Sequence, residues 1–94
     1  MASFAVIYRY GTDSAAMDAH RPEHRDYLKS LFESGQLIRS GPLGEGGPPS
    51  ALLVLEADSR DEVAGLLDED PFYVRKLIVE REIRPWNIVF ESGR

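Results

Sequence analysis

The sequence has no cysteine, only two histidines and no long apolar run. The lack of cysteine excludes a disulfide framework and is compatible with a reducing compartment. No apolar stretch approaches the length of a membrane span. The N-terminus also lacks the basic region and cleavage pattern of a secretory signal, so the expected location is the cytoplasm. Positive charge is in deficit: 11 Lys and Arg against 16 Asp and Glu give a formal net charge of -5. Such a field repels nucleic acid unless the basic residues are strongly segregated. Along the sequence they are scattered among acids, so no nucleic-acid partner and no membrane partner is expected.

What is present belongs to an ordinary globular domain. The 94 residues are 43% apolar, 29% charged and 10% aromatic, which argues against disorder and sets a single domain over residues 1–94. Residues 3–10 (SFAVIYRY) are aromatic and β-branched and predict a first strand. Their near-continuous apolar character predicts a central position in a sheet. Residues 11–18 are small and polar and predict a loop. Pro22 suits the first turn of a helix, after which Tyr27, Leu28, Leu31 and Phe32 follow at helical spacing until Gly35 stops it.

A short strand is predicted over residues 37–41, followed by the breaker GEGGPP at 44–49 and a third strand over 51–57 (ALLVLEA). Ser59 with Glu62 forms a capping-box signature for a second helix with Val63, Leu66 and Leu67 inward, halted by Pro71. One further helical turn is expected over 72–76 and a fourth strand over 77–84. Residues 87–90 (NIVF) read as a short extra strand or an apolar tail. The order βαββαβ predicts an α+β, ferredoxin-like antiparallel sheet with helices on one face. The uncovered face then favours pairing of sheet with sheet, so a homodimer of the α+β-barrel type is expected.

Several residue groups bear on chemistry. His20-Arg21-Pro22-Glu23-His24 matches the H-x-x-E-H pattern of inverted zinc peptidases letter for letter. That mechanism needs both histidines on one helical face, a third protein ligand and a cleft built by a much larger chain. With Pro22 in the first turn His20 falls before or at the cap, and the match reads as chance. His24 stands in register with the apolar stripe through Leu28 and Leu31 and should point inward. A core histidine satisfied by some partner is the commoner outcome for such a residue; acid/base work needs an orienting partner. Asp70, at the end of the second helix, is available, although an aspartate before a proline more often serves turn or helix-end chemistry.

Other signals are plainer. The glycines at 44–47 lack the strand-to-helix context and the Lys-Ser/Thr of a phosphate loop. The charges in Arg81-Glu82-Ile83-Arg84 read as solvated positions of an alternating strand. Trp86 is a pocket wall or a packing anchor.

Five pieces in order resemble the YCII-related domain family (YciI-like proteins). They are Arg21-Pro22-x-His24-x-x-Tyr27-Leu28, Gly35-x-Leu37-x-x-Ser40-Gly41-Pro42-Leu43, Leu53-Val54-Leu55-Glu56-Ala57-x-Ser59, Asp70-Pro71-Phe72 and Ile83-Arg84-Pro85-Trp86. The resemblance implies a dimeric ferredoxin-like fold. It also implies a His–Asp dyad, here His24 and Asp70, in an active-site pocket. Some members are linked to elimination of the dehydrochlorinase type on aromatic substrates, which implies a small-molecule substrate and neither a metal nor an organic cofactor.

In such a dyad the carboxylate fixes the imidazole tautomer and stabilises the imidazolium, so that the other ring nitrogen takes or returns a substrate proton. Ser40 is expected at the pocket mouth, with Tyr8, Phe72 and Trp86 as apolar walls for a flat ligand. The short loop at 44–49 departs from the family pattern and bears on pocket shape. A ring-to-carboxylate separation of about 2.6–3.2 Å, with the second nitrogen facing a cavity, is the geometry this reading requires. Two readings compete with it: a small-molecule-binding module without catalysis, and a dimerisation domain whose His–Asp pair is structural.

Overall fold

The computed structural model describes residues 1–93. Its elements are β1 (Ala2–Tyr10), α1 (Ser14–Glu33), β2 (Leu37–Pro42), β3 (Ser50–Ala57), α2 (Arg60–Leu67), α3 (Pro71–Val74) and β4 (Ile78–Pro85). The sheet order is β2-β3-β1-β4 with every neighbouring pair antiparallel, which is the ferredoxin-like arrangement. β1 is flanked on both sides, as its apolar run predicts. No helix among the described residues is long and apolar enough to cross a membrane.

Alternation along β1 divides the sheet into two faces. Phe4, Val6 and Tyr8 are buried under the helices in one core with Leu53, Leu55, Val63, Leu67, Phe72 and Ile83. Ala5 and Ile7 point to the opposite face, opposite Val54 and Leu52 of β3. Val54 is buried yet stands outside the helix-side core, so the uncovered face has an apolar centre of its own.

The first helix differs from expectation. It begins at Ser14, with Asp13 as N-cap accepting from the Ala16 backbone N–H, so residues 14–18 are helical and only the start of the predicted loop is one. Three alanines among residues 15–19 favour the helix and outweigh the small, polar look of that stretch. Pro22 consequently lies inside the helix, not in its first turn. His20 is therefore helical, one turn before His24. The helix ends as predicted: Gly35, at φ 86°, lets the Gly35 and Gln36 N–H groups bond Phe32 and Leu31 carbonyls in a Schellman motif.

The second helix ends at Leu67, before the predicted stop at Pro71, which instead opens α3. Ser59 accepts from the Glu62 N–H and opens α2. α3 closes with Lys76 at φ 59°, bringing the Leu77 N–H to the Phe72 carbonyl. Residues 87–90 form no strand, leaving Val89 and Phe90 exposed. Arg81 is not a solvated strand position. It pairs with Tyr8 in register, lies on the helix side, bonds Asp68 at 2.9 Å and covers the Tyr73 ring at 4.1 Å.

Candidate functional site

Three parts of the chain meet under the helices. β1 contributes Tyr8, α1 contributes His24, and the turn between α2 and α3 contributes Asp70. Asp70 is fully buried, and a bare carboxylate there would be very costly. It accepts three hydrogen bonds: from His24 Nδ1 at 2.7 Å and the Phe72 N–H at 3.0 Å through Oδ1, and from the Tyr8 hydroxyl at 3.1 Å through Oδ2. The two readings of Asp70 thus coexist, because the carboxylate that caps α3 is the one that holds the histidine.

This donor set settles the roles. A carboxylate receiving from a hydroxyl and an amide is acceptor only, so Nδ1 carries the proton toward it and a neutral His24 keeps its lone pair on Nε2. Nε2 has no protein partner among the described residues, and the ring lines a cavity of about 850 Å³. The ring is further fixed by Phe72, stacked on it at 4.0 Å between centroids with the planes 3° apart. Tyr10 meets Phe72 edge-on at 5.9 Å. The arrangement can remove a proton from a bound molecule and return it, with its orienting groups shielded from water.

The cavity lies between α1 and the edge strand β2, with Phe72 and the Tyr8 ring at its floor. A register shift between Leu37 and Arg39 marks a bulge at Ile38, which also lines the cavity. Ser40 is exposed on this wall. Among the residues predicted for the site, His24, Tyr8, Phe72 and Ser40 line the cavity, and Asp70 lies buried behind His24. Tyr8 does more than form a wall, since its hydroxyl is spent on Asp70. Trp86 does not join them within the chain. Its backbone N–H bonds the Ser3 carbonyl at the opposite end of the sheet, where it lines a separate depression with the tail. The loop at 44–49 also stays outside the cavity lining.

Sequence reasoning passed over Tyr10 and the basic residues Arg21, Arg25, Lys29 and Arg39, all of which line the cavity. Three of these recur every fourth residue on α1 beside His24, a signal that was present in the sequence. His20 is half-buried, with Nδ1 lacking a hydrogen-bond partner and Glu23 3.7 Å away; it does not line the cavity. Among the described residues no three His, Cys, Asp or Glu side chains gather where they could hold a metal ion.

Burial, and secondly the charge of Asp70, push the Tyr10 hydroxyl from 10.0 up to about 12. Burial, then the Asp70 charge and hydrogen bond, push Tyr8 still higher. Both phenols hold their protons more tightly in the folded state than in the unfolded one. Their contribution to stability is therefore complete below pH 10 and is lost as pH rises through the folded values. Thermal melts should show this contribution level to roughly pH 9 and falling between about pH 10 and 12, with a shallower fall in Tyr10→Phe. An unchanged slope in that variant would contradict the assignment.

The YCII-related domain profile matches residues 2–87. No curated protein matches the sequence. Among solved structures, 5-chloro-2-hydroxyhydroquinone dehydrochlorinase (TftG) from Burkholderia phenoliruptrix, in complex with 2,5-dihydroxybenzoquinone, is 25% identical with a TM-score of 0.77, over 90% of this chain and 93% of that one. Protein Atu4242 from Agrobacterium tumefaciens is 21% identical with a TM-score of 0.59, over 95% and 94% of the two chains. A dimeric ferredoxin-like protein from an uncultured marine organism is 16% identical with a TM-score of 0.54, over the whole of both. The last two likenesses speak for the fold alone.

Proposed function

The chain belongs to the YCII-related domain family, and from that premise we propose that it is a small acid/base enzyme of the lyase type, with His24 as proton-transfer residue and Asp70 as its orienter. The observation that carries this reading is the 2.7 Å contact between His24 Nδ1 and a fully buried Asp70, with the ring lining a cavity. In the elimination, Nε2 takes a proton from a substrate O–H or C–H. On a hydroxylated aromatic ring it returns that proton to the carbon bearing the leaving group, which becomes tetrahedral; removal of a second hydroxyl proton then pushes an electron pair through the ring and expels an anion such as chloride as the quinone forms. The imidazolium then gives up the proton, and the net change is loss of one HX. The dehydrochlorinase among the similar structures supports an aromatic substrate of this kind. Tyr8 positions Asp70, Phe72 holds the imidazole plane, and Ser40 offers a hydroxyl at the mouth.

The test is chloride release from 5-chloro-2-hydroxyhydroquinone and related chlorinated hydroquinones. Wild type is expected to turn over one of them, and His24→Ala to lose about 10²–10⁴-fold while still folded. Turnover that survives in both His24→Ala and Asp70→Asn would reject the catalytic reading. Saturable binding without product would instead make the cavity a recognition module.

The working assembly we propose is a homodimer joined through the uncovered sheet face, where Ala5, Ile7, Leu52 and Val54 form the apolar centre. Light scattering on the eluting protein should give twice the chain mass for wild type and the chain mass for Leu52→Asp. Leu52 lies outside the helix-side core, so that variant should retain its helical and strand content. A Leu52→Asp protein that stays dimeric would place the interface elsewhere.

A further inference from the structure

We propose that the cavity selects a small aromatic anion, a carboxylate or phenolate, whose charge is held at the mouth by Arg25, Lys29 and Arg39 while its ring lies against Phe72 and His24. The inference rests on the acid/base reading of the same site and names its substrate class.

The first observation is segregation of charge. The chain carries 16 acids against 11 Lys and Arg. Yet the cavity is lined by Arg21, Arg25, Lys29 and Arg39 and, among the described residues, by no Asp or Glu. Scattering along the sequence thus conceals a concentration in space.

The second observation is that most of this charge is uncompensated. Arg9, Arg81 and Arg84, elsewhere on the surface, pair with Glu80, Asp68 and Glu82. Arg21 pairs with Asp18. Arg25, Lys29 and Arg39 have no acidic partner among the described residues. Asp26 and Glu33 stand three and four residues from Lys29 on α1, the spacings from which a pair could form, and neither makes one. Three cations left unpaired around one opening of an acidic protein raise the local concentration of anions there.

Placement supplies the third. Arg25 and Lys29 follow His24 along α1, and Arg39 approaches from β2 across the opening, so the cations stand on both walls. They are exposed, whereas His24, Phe72 and Tyr8 beneath them are buried. A ligand that fits has a flat apolar body for the floor and one negative group for the mouth. The same cations would favour the anion that proton removal by His24 generates.

The probes are benzoate and 2,5-dihydroxybenzoate, each against its neutral amide, titrated into the full-length dimeric or monomeric protein and followed by calorimetry and amide chemical shifts. Each acid is expected to bind about tenfold or more tightly than its amide. The preference should shrink in 0.5 M salt, because the cations are exposed. In the triple variant Arg25→Gln, Lys29→Gln, Arg39→Gln it should vanish, and each single change should weaken the acid about fivefold. Equal binding of acid and amide, no binding of either, or an unchanged preference in the triple variant would overturn the proposal. Failure of the two readings is separable. A charge preference that persists in His24→Ala while His24 proves dispensable for turnover would sink the acid/base reading and leave the anion site standing. His24-dependent turnover with no charge preference would do the reverse.

Discussion

Asp70→Asn is expected to fold and to lose about 10–10³-fold in turnover, with KM little changed. The geometry makes this an unusually clean removal of charge. Oδ1 accepts from both His24 Nδ1 and the Phe72 N–H, while Oδ2 accepts only from the Tyr8 hydroxyl. An asparagine that keeps its oxygen at the Oδ1 position satisfies both N–H donors, and its amide group donates to a Tyr8 hydroxyl that rotates to accept. Asparagine is also as good an N-cap for α3 as aspartate. The His24 tautomer is therefore retained and only the negative charge behind it is lost. That charge stabilises the imidazolium formed when Nε2 takes a proton. The loss should appear in turnover per folded protein, with thermal melts showing Asp70→Asn folded at the assay temperature. Imidazole nitrogen shifts should show the same tautomer in both proteins. A merely structural pair would leave turnover per folded protein at the wild-type value, with any loss of activity following loss of folded protein.

The fold was legible because its signals are local and repeated. The apolar run of β1, the Ser59 cap, the Gly35 stop and Pro71 each specify an element by short-range chemistry, and their order leaves one familiar arrangement. The start of α1 was misread because Asp13 as a cap and the alanines after it were outweighed by the small, polar look of that stretch. The error propagated to Pro22 and His20, since a proline in a first turn and one inside a helix look alike once the start is misplaced. The pairing of His24 with Asp70 is what the motif resemblance implies, but their contact spans 46 residues and no periodicity encodes it. Tyr8 was recognised as an apolar wall because an aromatic on a buried strand usually is one; its hydroxyl partner lies 62 residues away. The cationic rim was overlooked for a different reason. Charge was judged by its scatter along the sequence, whereas the helix gathers Arg21, Arg25 and Lys29 on one side and the sheet brings Arg39 to meet them.

The largest stability change is expected at Phe72. Its side chain is 1% exposed and packs in the helix-side core while lying flat on His24 and meeting Tyr10 edge-on. Truncation to alanine removes the buried ring and leaves a void next to a fully buried carboxylate, costing about 3–5 kcal/mol. Against a total of about 5–15 kcal/mol for a domain this is a large share, and the melting temperature should fall by more than about 10 °C. Phe72→Leu separates packing from stacking. It restores most of the volume and preserves the backbone N–H that donates to Asp70, so the aromatic contribution lost is about 0.5–1.5 kcal/mol. The leucine variant should therefore be folded at ambient temperature with His24 still bonded to Asp70 but its plane no longer held from the side. Denaturant melts should place Phe72→Leu much nearer wild type than Phe72→Ala. Its turnover should nonetheless fall, because the imidazole then samples orientations in which Nε2 misses the substrate proton. Wild-type turnover in Phe72→Leu would show that the hydrogen bond from Nδ1 to Asp70 is sufficient to aim the ring and that the stack serves stability alone.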